Sequence, residues 1–298
     1  MVLQMDFKRI EPADRERVEQ IQHTYGHGLS SHAFCSLYLW QNALGLTVYL
    51  EDDLFVVRCR WKGANCFFFP CGNEGRKEAF IREHMHERDF KLCYMNAADV
   101  DVLCRHFPKR FVVKYDRSSC EYIYDKAEVL EMPGGKFAKT RTKLHRLERE
   151  HSLRAEQLTV ENKNKAVEII EAWARSHERD GQQTFDDTDV ALQAMDQMDM
   201  LGLVGAITYM DGEPYAVTAG CGISDSVFDL CVAKQKAAVP GLDYYAKICL
   251  YSTIPEKFIY INAEEDVGIP GLRTHKMEMR PMKLEGIWEG TTRLYEKR

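Results

Sequence analysis

Residues 203–254 read LVGAITYMDGEPYAVTAGCGISDSVFDLCVAKQKAAVPGLDYYAKICLYSTI, and the grammar of this stretch decides the fold. An apolar run stops at Asp211-Gly212-Glu213. A second run, PYAVTAG, follows, and a third, SVFDLCVA, comes after a short polar break. Gly and Asp at such junctions are hairpin chemistry, so three antiparallel strands are expected. Val239-Pro240-Gly241 then interrupts the chain, and the apolar spacing beyond it is helical. KFIYIN (257–262) closes the unit as another strand.

The same order occurs upstream. LTVYLEDDLFVVRCRWKGANCFFFPCGNEGRKEAFIREHM (46–85) gives strand, turn, strand, strand and an amphipathic helix, and FKLCYMN (90–96) supplies the closing strand. The two stretches share order and spacing rather than identity, which is how a diverged internal repeat reads. The expectation is an α/β (α+β) chain of two tandem modules, each a mixed, mostly antiparallel sheet flanked by helices. Pro133-Gly134-Gly135 is the expected linker, dividing residues 1–132 from 133–298.

Totals exclude several classes. Across 298 residues the net charge is −6, with 45% apolar and 29% charged residues, so a core is affordable and a dedicated nucleic-acid binder is not indicated. No apolar run approaches the ~18 residues that cross a bilayer. The N-terminal MVLQMDFKRIEPADRERVEQ lacks the apolar core of a signal peptide, so a cytoplasmic protein is expected. The 10 cysteines include no C-x-x-C pair and sit mostly in apolar contexts, which reads as free buried thiols. His23, His27 and His32 cluster, but Gly26 and Gly28 break a helix there. His84 and His86 fall on different sides of a helix. No metal site is assigned, and neither a Gly-x-Ser-x-Gly elbow nor a Walker loop is present.

Charge is concentrated in two places. From Gly134 to Arg154 seven Lys/Arg face two Glu, although the whole chain is acidic. Phe137, Thr140, Leu144 and Leu147 form one helical stripe there, and Lys139, Lys143 and Arg146 another. Lys139, Arg141 and Lys143 are candidates to meet a polyanion such as tRNA; the bland alternative is a solvated face. The second place is NAEEDVGIPGLRTHK (262–276), where acids and bases flank a Gly-Ile-Pro-Gly turn. Arg273 and Lys276, three residues apart, could hold the anionic part of a donor. Glu265 and Asp266 could orient an acceptor amine or take its proton. The bland alternative is a surface loop of mutually screened ion pairs.

GGKFAKTRTKLHRLEREH, INAEEDVGIPGLRTHKMEMRP and HAFCSLYLWQ resemble the C-terminal domain of phosphatidylglycerol lysyltransferases, above all its short relatives without the membrane-spanning part. E-E-D-x-G-I-P-G-L-R is the most specific piece. The resemblance implies two tandem acetyltransferase-like (GNAT) folds, as in Fem-type aminoacyl-tRNA-dependent transferases. It also implies transfer of an acyl or aminoacyl group to an amine or hydroxyl, on a small-molecule or peptide acceptor, with aminoacyl-tRNA as candidate donor. An acyl-CoA enzyme would cradle pyrophosphate in a Q/R-x-x-G-x-G/A loop opening a helix. Here Gln235 and Gly241 are present, but Ala238 replaces a glycine and Pro240 removes an N–H, so acyl-CoA is disfavoured and no cofactor is assigned. The rival reading is a non-catalytic ligand- or partner-binding protein that retains the GNAT fold.

Overall fold

The structure is a computed structural model that describes residues 6–26, 28–61, 64–87, 89–180 and 186–293; His27 of the histidine cluster lies outside the described residues. In the first half, α1 (Arg15–Tyr25) and α2 (Phe34–Leu44) precede the hairpin strands β1 (Thr47–Glu51), β2 (Leu54–Trp61) and β3 (Ala64–Phe68). The short β4 (Cys71–Gly72) leads into α3 (Glu74–His84), β5 (Lys91–Met95), α4 (Ala97–His106) and β6 (Phe111–Tyr115). Asn73 and Asn96 cap α3 and α4 through their side chains, satisfying donors that the helix itself cannot.

The second half opens with β7 (Glu121–Asp125), α5 (Lys126–Glu131) and the basic helix α6 (Ala138–Glu150). Then come β8 (Leu153–Gln157), α7 (Lys163–Asp180), α8 (Thr188–Asp196) and α9 (Met198–Leu201). The repeated unit follows as β9 (Val204–Met210), β10 (Glu213–Gly222), β11 (Val227–Gln235), α10 (Leu242–Tyr251) and β12 (Tyr260–Asn262). The chain finishes with α11 (Pro270–Glu278), β13 (Lys283–Glu285) and β14 (Trp288–Thr292).

Both sheets obey one plan. The first has the order β1-β2-β3-β5-β14-β6, with β4 pairing β2, and the second β13-β7-β12-β11-β10-β9-β8. In each, three antiparallel strands are followed by a helix and then a strand that pairs in parallel with the third, β3 with β5 and β11 with β12. This is the mixed α/β duplication expected from residues 46–96 and 203–262.

The halves are not cut linearly, however. The chain divides into two compact units, residues 1–121 with 285–298 and residues 122–284. Strand β14, from the C-terminal end, lies antiparallel between β5 and β6 in the first sheet. Strand β7, which precedes the Pro-Gly-Gly turn, lies antiparallel to β12 in the second sheet. The division at 132/133 drawn from the Pro-Gly-Gly turn therefore differs from the observed units. Strand pairing at this sequence distance leaves no local mark in composition.

Each unit has its own core. In the first, Phe67 packs at 5.5 Å from Phe80 and 5.4 Å from Phe90 (ring centroids), among Leu54, Val56, Leu92 and Met95. Such aromatic pairs are worth about 0.5–1.5 kcal/mol beyond their burial. In the second, Tyr122, Tyr124, Phe228, Leu250, Tyr251 and Ile261 are buried together. Strand β10 bulges between Ala219 and Cys221, and a side chain on Gly220 would strike the Asp229 carbonyl oxygen at 1.9 Å. Glycine is required there because the neighbouring backbone takes the space of a Cβ.

A chain ending at Gly286 should therefore lose the first sheet's β5–β14–β6 ladder while keeping the second unit. Hydrogen exchange at Phe111–Tyr115, whose strand borders only β14, checks this: fast exchange is expected, and retained protection would show that β14 is dispensable.

Candidate active site

The site grows from the carboxyl end of β12. Strand β12 pairs with Val227–Asp229, whereas β11 continues to Gln235 along β10. The two parallel neighbours part company here, and the carboxyl ends of such strands are the usual place for ligands in α/β sheets. The loop 263–269 leaves β12 at this end. It is conformationally demanding: Glu264 (φ 57°), Val267 (φ 44°) and Gly268 (φ 78°) all sit in the left-handed region. A β-branched residue there is a real outlier, and such strain persists only where surrounding contacts impose it.

Asp266 supplies those contacts. Its carboxylate is fully buried and accepts four hydrogen bonds. Arg273 Nε donates to Oδ2 and Nη2 to Oδ1, both at 2.9 Å; the Tyr122 hydroxyl donates to Oδ2 at 2.6 Å; the Gly268 N–H donates to Oδ1 at 2.9 Å. Burial alone would raise its pKa, but the bonds from Arg273, Tyr122 and Gly268 outweigh it and hold the carboxyl at about 2. Asp266 is thus a fixed anion. These donors make Asp266 the residue that orients Arg273, beside its expected roles of orienting an acceptor amine or taking its proton.

Arg273 gains from the same geometry. Pro270 occupies the first turn of α11, where its missing N–H costs nothing, and this sets Arg273 and Lys276 on one helix. The guanidinium spends two of its donors on Asp266 and is 38% exposed, so a rigid fork keeps its remaining edge available to an anion.

Lys276 is used differently. Its ammonium donates to the carbonyls of Ala263 (2.5 Å) and Glu265 (2.6 Å), clipping the loop to α11. Burial lowers its pKa, opposed by the nearby Glu264 and Glu265 carboxylates. Glu265 is half-buried, and it thus contributes both its carbonyl and its charge to Lys276.

Beside this lies a cluster that the sequence reading left without a role. Lys247 and Asp243 are one turn apart on α10 and 3.7 Å from each other. His275 Nε2 lies 3.0 Å from Asp243 Oδ2 and 3.3 Å from Lys247 Nζ. Burial lowers the Lys247 pKa; Asp243 partly offsets this. Asp243 itself is pushed up by burial, yet the His275 bond and Lys247 bring it below its ordinary value. The i, i+4 Asp–Lys pair on an otherwise apolar helix was the available signal.

Of the basic-helix candidates, Lys139 is exposed. Arg141 donates to the carbonyls of Met132 and Gly134, stapling the Pro-Gly-Gly turn. Lys143 pairs with Glu278 of α11 at 3.0 Å and lies 5.8 Å from the Tyr244 ring centre. The structure therefore draws Arg273, Lys276 and Asp266 together, brings Lys143 to the far end of α11, and sets Arg141 apart as a backbone brace. Elsewhere, His32 Nε2 donates to the Phe69 carbonyl at 2.9 Å in the first unit's interior.

Two measurements test this geometry. Arg273→Ala should lower stability by about 2 kcal/mol, because a buried carboxylate loses a charged partner. Removal of an unanchored surface arginine would cost less than ~0.5 kcal/mol. The carboxyl's folded pKa lies below the ordinary value near 3.9, so its contribution is present above about pH 4 and is lost as pH falls toward about 2. Urea titrations of the parent and Asp266→Asn should converge across that window and remain parallel from pH 5 to 8. Lys247→Met should melt lower than the parent at pH 7, since it leaves the buried Asp243 carboxylate with His275 as its remaining basic neighbour in the cluster.

Residues 23–288 match the family model described as phosphatidylglycerol lysyltransferase, C-terminal. Among solved structures, a conserved protein of unknown function from Bacteroides thetaiotaomicron VPI-5482 superposes with a TM-score of 0.89 at 24% identity, covering 97% of this chain and 100% of that one. L-PGS from Bacillus licheniformis gives a TM-score of 0.64 at 16% identity, covering 95% and 92%. FemX gives 0.59 at 8% identity, covering 96% and 97%. At these identities the likeness establishes the fold. A comparison with curated proteins finds no match. With its duplicated acetyltransferase-like sheets and a family match running from α1 into β14, the chain belongs to the phosphatidylglycerol lysyltransferase C-terminal family.

Proposed function

We propose that this protein is an aminoacyltransferase that moves an activated aminoacyl group from an anionic donor to an amine or hydroxyl acceptor. The observation that carries the reading is the Asp266–Arg273 fork at the carboxyl end of β12. A guanidinium fixed at both Nε and Nη2 is built to hold a phosphate or carboxylate, not to sweep solvent. In the reaction the acceptor attacks the donor's carbonyl, its proton is released, and the ester bond to the donor breaks. Arg273 holds the donor's anionic part. Glu265, with its charge near Lys276, orients the acceptor amine or takes its proton. The carbonyls bound by Lys276 keep the loop in its strained form.

The family description names a phosphatidylglycerol lysyltransferase, which makes lysyl-tRNA the first donor to test. Among the described residues no helix is long and apolar enough to cross a membrane. The acceptors to set against phosphatidylglycerol vesicles are therefore water-soluble amines and hydroxyls, small molecules or peptides. Lys139 and Lys143 are assigned to the donor's polyanionic body, Lys143 by exchanging Glu278 for phosphate.

Acyl-CoA is a poor donor on structural grounds. Gly241, at φ 95°, opens α10, and a side chain there would come within 2.9 Å of the Lys143 carbonyl oxygen. The backbone of α6 therefore packs against the helix N-terminus that an acetyltransferase offers to pyrophosphate, and a carbonyl oxygen is turned toward it.

The test is transfer of labelled lysine from lysyl-tRNA, with Arg273→Lys and Glu265→Gln beside the parent. Each should lower kcat/KM at least about 100-fold, the range for removing a donor that meets developing charge. Parent protein that binds charged tRNA without turnover would instead support a binding role. Calorimetry with CoA should show no micromolar complex; a tight one would overturn the exclusion of acyl-CoA.

A further inference from the structure

Three cysteines from three neighbouring strands meet on one face of the first sheet. Cys59 on β2 stands directly opposite Cys66 on β3. Cys66 is opposite Lys91 on β5, and Phe68 is opposite Cys93, so Cys93 lies diagonally two residues on from Cys66. The sulfurs of Cys66 and Cys93 are 2.8 Å apart, and all three sulfurs lie within 4.8 Å of one another. Cys66 and Cys93 are buried, whereas Cys59 is half-exposed. No C-x-x-C spacing announces this group, because sheet register and not sequence proximity assembles it.

From this we propose that Cys59, Cys66 and Cys93 form a three-thiolate site for a thiophilic d10 cation, zinc(II), with water in the fourth position on the half-exposed side of Cys59. The three sulfurs are close enough for small side-chain shifts to set the ~3.8 Å kept by two ligands of a tetrahedral zinc–thiolate centre with bonds of about 2.3 Å. A disulfide between the closest pair fits the register less well. Diagonal neighbours on adjacent strands hold their Cα atoms roughly 7–8 Å apart, at or beyond the ~7 Å limit for bridging. A shared metal spans that offset without moving the backbone.

Zinc also suits the charge. On binding, each thiol releases its proton to solvent, so three thiolates with zinc(II) leave one net negative charge, whereas copper(I) would leave two. The Lys91 ammonium, which shares its charge with Glu289 at 2.5 Å, stands on the same face to offset it. Such an ion would tie β2, β3 and β5 together at the point where β3 and β5 pair in parallel.

The experiment titrates the reduced full-length protein with cobalt(II) and then zinc(II). We expect one equivalent of cobalt(II) with intense near-ultraviolet thiolate charge-transfer bands, displaced by zinc(II), and a zinc-dependent rise in melting temperature. Cys66→Ser should abolish the bands. Cys59→Ser, at the half-exposed corner where folding is least at risk, should weaken zinc at least about tenfold. Cys104→Ser, at an exposed thiol on α4, should bind as the parent does. Absence of the bands in the parent would overturn the proposal, as would equal loss in Cys104→Ser. So would mass spectrometry of the isolated, unreduced protein showing a Cys59–Cys66 disulfide in place of three free thiols.

Discussion

A single buried carboxylate organises the carboxyl end of the second sheet. Asp266 receives donors from three elements at once: Tyr122 on β7, the backbone of its own loop at Gly268, and Arg273 on α11. An isolated ionised carboxylate would cost several kcal/mol to bury, so each donor is needed and each fixes a piece of chain. The loop's left-handed residues, the direction of α11 and the aim of the Arg273 fork all follow from this one constraint. Lys276 repeats the logic in reverse, a buried cation satisfied by loop carbonyls.

The neighbouring α10 carries a second polar cluster with a looser design. Lys247, Asp243 and His275 are within 3–4 Å of one another, but burial opposes the lysine's charge. Asp266 is pinned by geometry; Lys247 is poised by desolvation.

Local chemistry was readable from the sequence where short-range rules govern. The Glu51-Asp52-Asp53 turn announced the first module, Asp211-Gly212 and the Pro-Gly before α10 announced the second, and the stripe of Thr140, Leu144 and Leu147 is the buried face of α6. Arg273 and Lys276 were legible as neighbours three residues apart, whereas the helix that Pro270 opens read only as a turn. Features set by long-range pairing were not legible. Nothing local shows that β14 belongs between β5 and β6, that Asp266 meets a tyrosine 144 positions away, or that Arg141 turns back to brace a glycine turn. Asp266 read as a group that orients an acceptor amine or takes its proton, because sequence reveals a carboxylate's identity but not how many donors surround it.

The exchange of strands also orders events during synthesis. The second sheet takes β7, made early, so all its strands exist once β13 has left the ribosome. The first sheet must wait for Trp288–Thr292, although its strands β1 to β6 are complete by Tyr115. At about 5–20 residues per second that wait is on the order of 10 s. Through that interval the edges of β5 and β6 lack their middle strand, and unpaired strand edges are where chains associate wrongly. The half of the protein translated first is thus the half that finishes folding last, and it is the part for which a nascent-chain chaperone would matter most.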